Sequence, residues 1–173
     1  MLQRLEKSDF PMVYEIMEES FPQEEYRPYG DQLALWDREE YKVYGIVEGK
    51  GSLEGFLAVW ELPGWVFIEH FAVRGTARNK GLGSYMLRQL HGRYLVPMCL
   101  EVELPTDPLT IRRVGFYERN GFYCNGFPYE QPSLGEGRNP VPLRIMSTGD
   151  YLTSEGFSEL KNILYRTVYG CDG

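Results

Sequence analysis

The sequence has no long apolar run. Its longest, Tyr94 to Leu100 even with Pro97 counted, falls far short of the roughly 20 residues needed to cross a bilayer, which excludes a membrane helix. The first residues, Met1 to Ser8, carry no apolar core of the kind a secretory signal has, so the chain is expected to stay in the cytosol. Cysteine is scarce: Cys99, Cys124 and Cys171 are odd in number, far apart and without C-x-x-C spacing. That argues for reduced thiols and against a disulfide framework or a metal site. Acidic residues are missing altogether from His70 to Leu100, a stretch that holds Arg74, Arg78, Lys80, Arg88 and Arg93.

That gap stands out because the protein as a whole is acidic. Its 173 residues carry a net charge of −7, and residues 1–40, with 4 basic and 11 acidic side chains, account for all of it. A block of one positive sign suits an anionic ligand, and an acidic N-terminal region suits a cationic one; the plain alternative is that both are solvated faces. An overall acidic chain is a poor nucleic-acid binder, so no nucleic-acid partner is expected. Length and ordinary globular composition, 43% hydrophobic and 25% charged, indicate one domain spanning residues 1–173 with a core of its own.

Periodicity sets out the order of elements. Ser8 or Asp9 can cap a helix carrying Val13, Ile16, Met17 and Phe21, which must end before Pro22. A short helix is expected around Asp31 to Arg38. Three strands then follow with glycine-containing turns between them: Tyr41 to Val47, Gly55 to Leu62 and Trp65 to Val73. Gly81 to Tyr94 has helical spacing, Pro97 to Leu104 alternates as a strand, and Leu109 to Asn120 reads as a helix stopped by Gly121. A strand, a helix and a strand in that order imply a right-handed parallel crossover. Short strands are expected near Phe122 to Asn125 and Leu143 to Ser147. Gly126 to Pro142 reads as a long loop and Ser154 to Tyr169 as a last amphipathic helix.

The most informative local feature is Arg78-Asn79-Lys80-Gly81-Leu82-Gly83-Ser84, between a strand and a helix. Glycines there permit a tight turn, and the first N–H groups of the helix lack internal acceptors, so a pyrophosphate fits such a turn. Glycines at a strand-to-helix turn are also often a tight connection and nothing more. The Walker and dinucleotide patterns are both excluded: Gly83-Ser84 lacks the lysine of the first, and Met86 stands where the second needs its third glycine.

In sequence order, Ile68-Glu69-His70-Phe71-Ala72-Val73, Arg78-x-x-Gly81-x-Gly83, Leu100-Glu101-Val102 and Gly115-Phe116-Tyr117-Glu118-Arg119-Asn120-Gly121-Phe122 resemble the GNAT superfamily of N-acyltransferases. The resemblance covers Tyr41 to Asn125 tightly, Met1 to Glu40 by helix placement, and is loose from Gly126 on. It implies a single α/β domain: a twisted, mostly antiparallel sheet of six to seven strands with a central splayed parallel pair, and helices on both faces. It also implies acetyl-CoA as acyl donor and no metal. The pantetheine arm would run along the backbone of Phe71, Ala72 and Val73, and the pyrophosphate would sit in the turn Arg78, Asn79, Lys80, Gly81, Leu82, Gly83, Ser84.

Tyr117 matches the family tyrosine that often protonates the departing thiolate; a phenol near pKa 10 is a reasonable donor, and the alternative is a core aromatic with its hydroxyl hydrogen-bonded. Thr110 departs from the asparagine, and Arg113 from the small residue, that many members carry at these positions. An amine acceptor must lose a proton to attack, which calls for a base. Glu69, read as sharing a strand face with Trp65, Phe67, Phe71 and Val73, is expected to have a raised pKa and to serve; Glu101 resembles a base in relatives that acetylate protein N-termini. A structural role is as open for either. His70 reads as a packed or surface histidine.

The resemblance implies transfer of an acetyl group to a small-molecule or peptide amine, cationic if the acidic N-terminal region walls the acceptor side as it does in the family. The competing reading is a non-catalytic acyl-CoA sensor of the same fold. Dimers are common in the family, so a homodimer is allowed.

Overall fold

In the computed structural model, which describes residues 1–171, one eight-stranded sheet carries helices on both faces. The strands are β1 (Gln3–Arg4), β2 (Tyr41–Glu48), β3 (Ser52–Leu62), β4 (Trp65–Val73), β5 (Met98–Glu103), β6 (Phe122–Cys124), β7 (Tyr129–Gln131) and β8 (Val141–Thr148). Their order is β1-β2-β3-β4-β5-β8-β6, with β7 also on β8. All neighbours are antiparallel except β4 and β5. The expected mixed sheet is present, enlarged by two short strands, β1 and β7. β7 lies inside the segment read as a loop, where a three-residue strand among prolines leaves no periodicity to detect.

The helices are α1 (Phe10–Ser20), α2 (Tyr29–Ala34), α3 (Leu82–His91), α4 (Pro108–Arg119) and α5 (Ser154–Ile163). α1 buries Phe10, Val13, Ile16 and Met17, and α5 buries Phe157 and Leu160, in one apolar layer. α3 contributes Met86, Leu87 and Leu90, and α4 contributes Val114, to the layer on the other face. Asp107 opens α4 with a reciprocal cap, its carboxylate accepting from the Thr110 N–H at 2.9 Å. That gives the buried Thr110 a structural task, and its Oγ1 in turn accepts from the Thr106 and Asp107 N–H groups at 3.1 Å each. After α5 the chain widens into a π-helical turn, Leu164–Val168, instead of continuing as α-helix to Tyr169.

Two irregularities shape the centre of the sheet. β4 pairs with β5 only from Val66–Ile68 to Met98–Leu100; beyond that point the parallel strands diverge. At the same level the β3–β4 register slips between Ala58 and Val59, leaving Glu69 as the extra residue of a bulge. Because side chains alternate along a strand, one inserted residue reverses every side chain that follows. Trp65 and Phe67 therefore pack with the α1 layer, but Phe71 and Val73 pack with the α3 layer. The expected common face of Glu69 with Phe71 and Val73 is overturned by this bulge.

Candidate active site

The bend between β4 and α3 places Asn79 (φ 63°) and Gly81 (φ 74°) in the left-handed region, which asparagine and glycine enter most readily. Among the described residues, no intramolecular acceptor takes the backbone N–H groups of Asn79 to Ser84. The two glycines do different things. Gly81 supplies the backbone turn in open space, whereas a Cβ at Gly83 would meet the Phe116 ring at 3.1 Å and the Phe71 ring at 3.4 Å, so this glycine lets α3 sit close against both. The Asn120 amide donates to Ser84 Oγ (3.2 Å) and to the Phe116 carbonyl (2.8 Å), tying the end of α4 to the start of α3.

A groove of about 590 Å³ runs along this bend. It is lined by Phe71, Ala72 and Val73 of β4, the bend itself, and Arg112, Arg113, Phe116 and Tyr117 of α4. The Arg74 N–H donates to the Glu54 carbonyl of the chain leading through β3 (2.8 Å), which fixes the alternation of the antiparallel pair. By that alternation Ala72 turns its backbone groups to β3, and Phe71 and Val73 turn theirs into the gap. All three residues border the groove, and Phe71 and Val73 are the two that turn backbone polar groups toward it. The Val73 carbonyl already accepts from Arg78 Nε at 3.0 Å, which leaves the Phe71 and Val73 N–H groups facing the gap.

Where β4 and β5 part, a small cleft of about 50 Å³ is lined by Glu25, Glu69, His70, Glu101 and Tyr117, with Phe21, Ile68 and Gln131. The sheet thus brings Glu69, Glu101 and Tyr117, from three separate elements, to one place. Their environments differ sharply.

Glu69 is almost wholly buried. One carboxylate oxygen accepts from Arg27 at 2.6 Å and the other from Trp60 Nε1 at 2.7 Å. Burial opposes its charge, but the Arg27 guanidinium and these two hydrogen bonds outweigh it and hold the carboxyl below the ordinary carboxylate value. The expected raised pKa is corrected by Arg27, a partner 42 residues away that no local pattern announces. Glu101 is the opposite case. Burial pushes its carboxyl up to about 7, although it accepts hydrogen bonds from the Tyr129 and Tyr169 hydroxyls, the latter at 2.5 Å. Glu25, also raised to about 7, owes this first to burial and then to the nearby Glu103, whose own carboxylate pairs with Arg113.

His70 is buried, and burial lowers its pKa, so it is neutral; Nε2 donates to the Glu25 carbonyl at 2.6 Å. This is the packed histidine of the two alternatives. Tyr117 packs edge-on to Phe116 and Phe122, and among the described residues its hydroxyl has no partner. Burial raises its pKa, against a smaller opposing effect of Arg113, so the phenol keeps its proton at neutral pH.

Sequence reasoning missed Arg27, Glu25, Tyr129 and Tyr169. The one available signal was indirect: a carboxylate on the inward face of a strand needs donors, and Glu101 alternates with apolar residues. Among the described residues, no group of three or more His, Cys, Asp or Glu is placed to hold a metal ion.

The splayed parallel pair, the bend of unpaired amides and the tyrosine over the gap meet at one cleft, and comparison with known proteins gives the family. The acetyltransferase (GNAT) family model matches residues 10–122. A protein of Bacteroides thetaiotaomicron assigned to the GNAT acetyltransferases is similar over 99% of both chains, with 31% identity and a TM-score of 0.89. The chain belongs to the GNAT acetyltransferase family. Two more distant structures share the fold. The ribosomal-protein-S18-alanine N-acetyltransferase of Escherichia coli has 18% identity and a TM-score of 0.64, over 90% of this chain and 96% of that one. Arabidopsis thaliana NAA60, solved in complex with acetyl-CoA, has 14% identity and a TM-score of 0.66, over 85% and 96%. Comparison with curated proteins gave no match.

Proposed function

We propose that the protein is an acetyl-CoA-dependent N-acetyltransferase in which a cationic amine, once deprotonated, attacks the thioester directly. The observation that carries this reading is the convergence of Glu101 and Tyr117 on the cleft where β4 and β5 part, beside a groove lined by unpaired amides.

The donor lies in the groove. Its diphosphate accepts from the N–H groups between Asn79 and Ser84, reinforced by the positive end of α3 and by Arg78 and Lys80. The pantetheine arm follows β4 at Phe71 and Val73, in the manner of an added strand. An N–H of the same pair polarises the acyl carbonyl where β5 has moved away.

The acceptor enters from the side of Glu25, Glu101 and Glu103, which line a continuous hollow with Phe21 and Tyr117. Glu103 is paired with Arg113, so among the described residues it is Glu25 and Glu101, the carboxyls without a basic partner, that favour a cation over an anionic amine. Glu101 takes the amine proton, directly or through a water; a carboxyl near 7 is poised to do so at neutral pH. Glu69 is unsuited, because Arg27 already holds its charge. As the carbon–sulfur bond breaks, Tyr117 donates to the departing thiolate. A buried phenol is a weak acid, but the same apolar surroundings make a bare thiolate costly, so the two effects offset each other. Holding both reactants in one cleft supplies the proximity contribution without a covalent intermediate.

The test is an assay of CoA release from acetyl-CoA with a panel of cationic, neutral and anionic amines. Release with cationic amines is expected. No release with any amine refutes the catalytic reading, and release only with neutral or anionic amines refutes the acceptor class.

A further inference from the structure

Two tyrosines grip the two oxygens of Glu101 from opposite ends of the chain's last third. The Tyr129 hydroxyl, from β7, donates to Oε2, and the Tyr169 hydroxyl, just beyond the π-helical turn, donates to Oε1 at 2.5 Å. Both lie outside residues 10–122 that the family model matches. Neither is there by accident of packing. β7 is pinned to β8 through Tyr129–Leu143 to Gln131–Val141, and the Gln131 side chain donates to the Glu24 carbonyl at 3.0 Å. The C-terminal turn is pinned by Arg27, whose guanidinium reaches both Glu69 and the Val168 carbonyl (3.3 Å). The Tyr165 hydroxyl, in the same turn, donates to the Glu130 carbonyl at 2.5 Å and so joins the turn to β7.

We infer that Tyr129 and Tyr169 are positioning residues: a pair of hydroxyls, carried by β7 and the C-terminal turn, that fixes the orientation of the Glu101 carboxylate and stabilises its charged form. This rests on the reading of Glu101 as the base. Without donors, a carboxyl at this depth would hold its proton well above neutrality and would be unable to accept one from an amine. Two hydroxyls oppose that tendency and leave the carboxyl titrating close to the working pH, the value at which a base is most effective.

Other groups face Glu101 and act on the same titration. Glu69 on β4 and Glu25 beyond α1 both raise its pKa, and Cys99 on β5 and Tyr165 on the turn feel its charge. Arg27 spends its charge on Glu69, and Tyr117 lies across the cleft. The two hydroxyls are the groups hydrogen-bonded to the carboxylate itself.

The experiment compares wild type, Tyr169→Phe, Tyr129→Phe and the double variant by carboxyl-carbon NMR titration of glutamate-labelled protein, with no substrate present. The Glu101 resonance is assigned by its loss in Glu101→Gln. Removal of one donor is expected to move the Glu101 midpoint alkaline by about one pH unit, and removal of both by more, since a hydrogen bond to a charged group is worth about that much. In the turnover assay, the acid limb of the kcat/KM profile should move by the same amount, while KM for acetyl-CoA stays unchanged. An unmoved midpoint in correctly folded Tyr169→Phe overturns the inference. If the midpoint moves but the wild type turns over no amine, the hydroxyl pair stands and the catalytic reading of Glu101 falls. Should Tyr169→Phe unfold, Tyr129→Phe alone decides the case by the same two readouts.

Discussion

The two sides of the cleft are made of different material. The proposed donor groove is built largely from main chain, the amides of Asn79 to Ser84 and the exposed edge of β4 at Phe71 and Val73, and it is open and bordered by arginines. The acceptor side is built from side chains. It is enclosed, carries Glu25, Glu69 and Glu101, and sends their pKa values two ways: burial raises Glu25 and Glu101 to about 7, while Arg27 holds Glu69 below the ordinary value. Main-chain donors survive most substitutions, so a groove of this kind is a general device. A pocket of buried carboxylates depends on each partner and can be retuned by one change, which is why the proposed function assigns reactivity and acceptor choice to the second side.

The largest expected effect lies in the acceptor wall. Glu69→Ala strands the Arg27 guanidinium in the interior and should cost about 3–5 kcal/mol of stability in denaturant unfolding. The folded pKa of Glu69 lies below its unfolded value. The stabilisation from the pair is therefore fully present above the ordinary carboxylate range and is lost as pH falls through that range and below it. A loss under about 1 kcal/mol, no more than an exposed pair is worth, would break the distinction drawn between the two sides.

Next, Glu101→Gln should lower kcat by about 10² to 10⁴, the usual span for a general base, and leave acetyl-CoA affinity intact. The wild-type kcat/KM should rise with pH through about 7, as the raised carboxyl loses its proton. A profile flat across that range removes Glu101 from the role. Tyr117→Phe is expected to cost about 10² in kcat with little change in the affinity for acetyl-CoA; unchanged turnover would leave the hydroxyl a bystander.

The smallest effect belongs to the donor side. Gly81→Ala forces a side chain into the left-handed region and should cost about 1–2 kcal/mol, read in thermal unfolding, with acetyl-CoA binding weakened less than tenfold. A collapse of binding would mean that the groove is less tolerant than a main-chain site should be.

The same contrast explains what could be read from the sequence. The bend, the crossover β4-α3-β5 and the helix carrying Tyr117 depend on contiguous residues, whose spacing is visible along the chain. The acceptor side depends on meetings between distant ones. Arg27 reaches Glu69 across 42 residues and Tyr169 reaches Glu101 across 68. The bulge at Glu69 is a register slip against β3, visible only when both strands are in place, and it reversed the face assigned to Phe71 and Val73. Glu69 was identifiable as a carboxylate among apolar side chains and Glu101 through the family resemblance of its strand, but that Glu69 stays charged was decided by Arg27.

The most direct measurement is a series of nitrogen–proton correlation spectra recorded as acetyl-CoA is added to the wild-type protein. The backbone amide signals of Asn79 to Ser84 should shift strongly and saturate together with those of Phe71 and Val73. Saturation that leaves these amides unmoved, or an absence of any saturable change, would contradict the account.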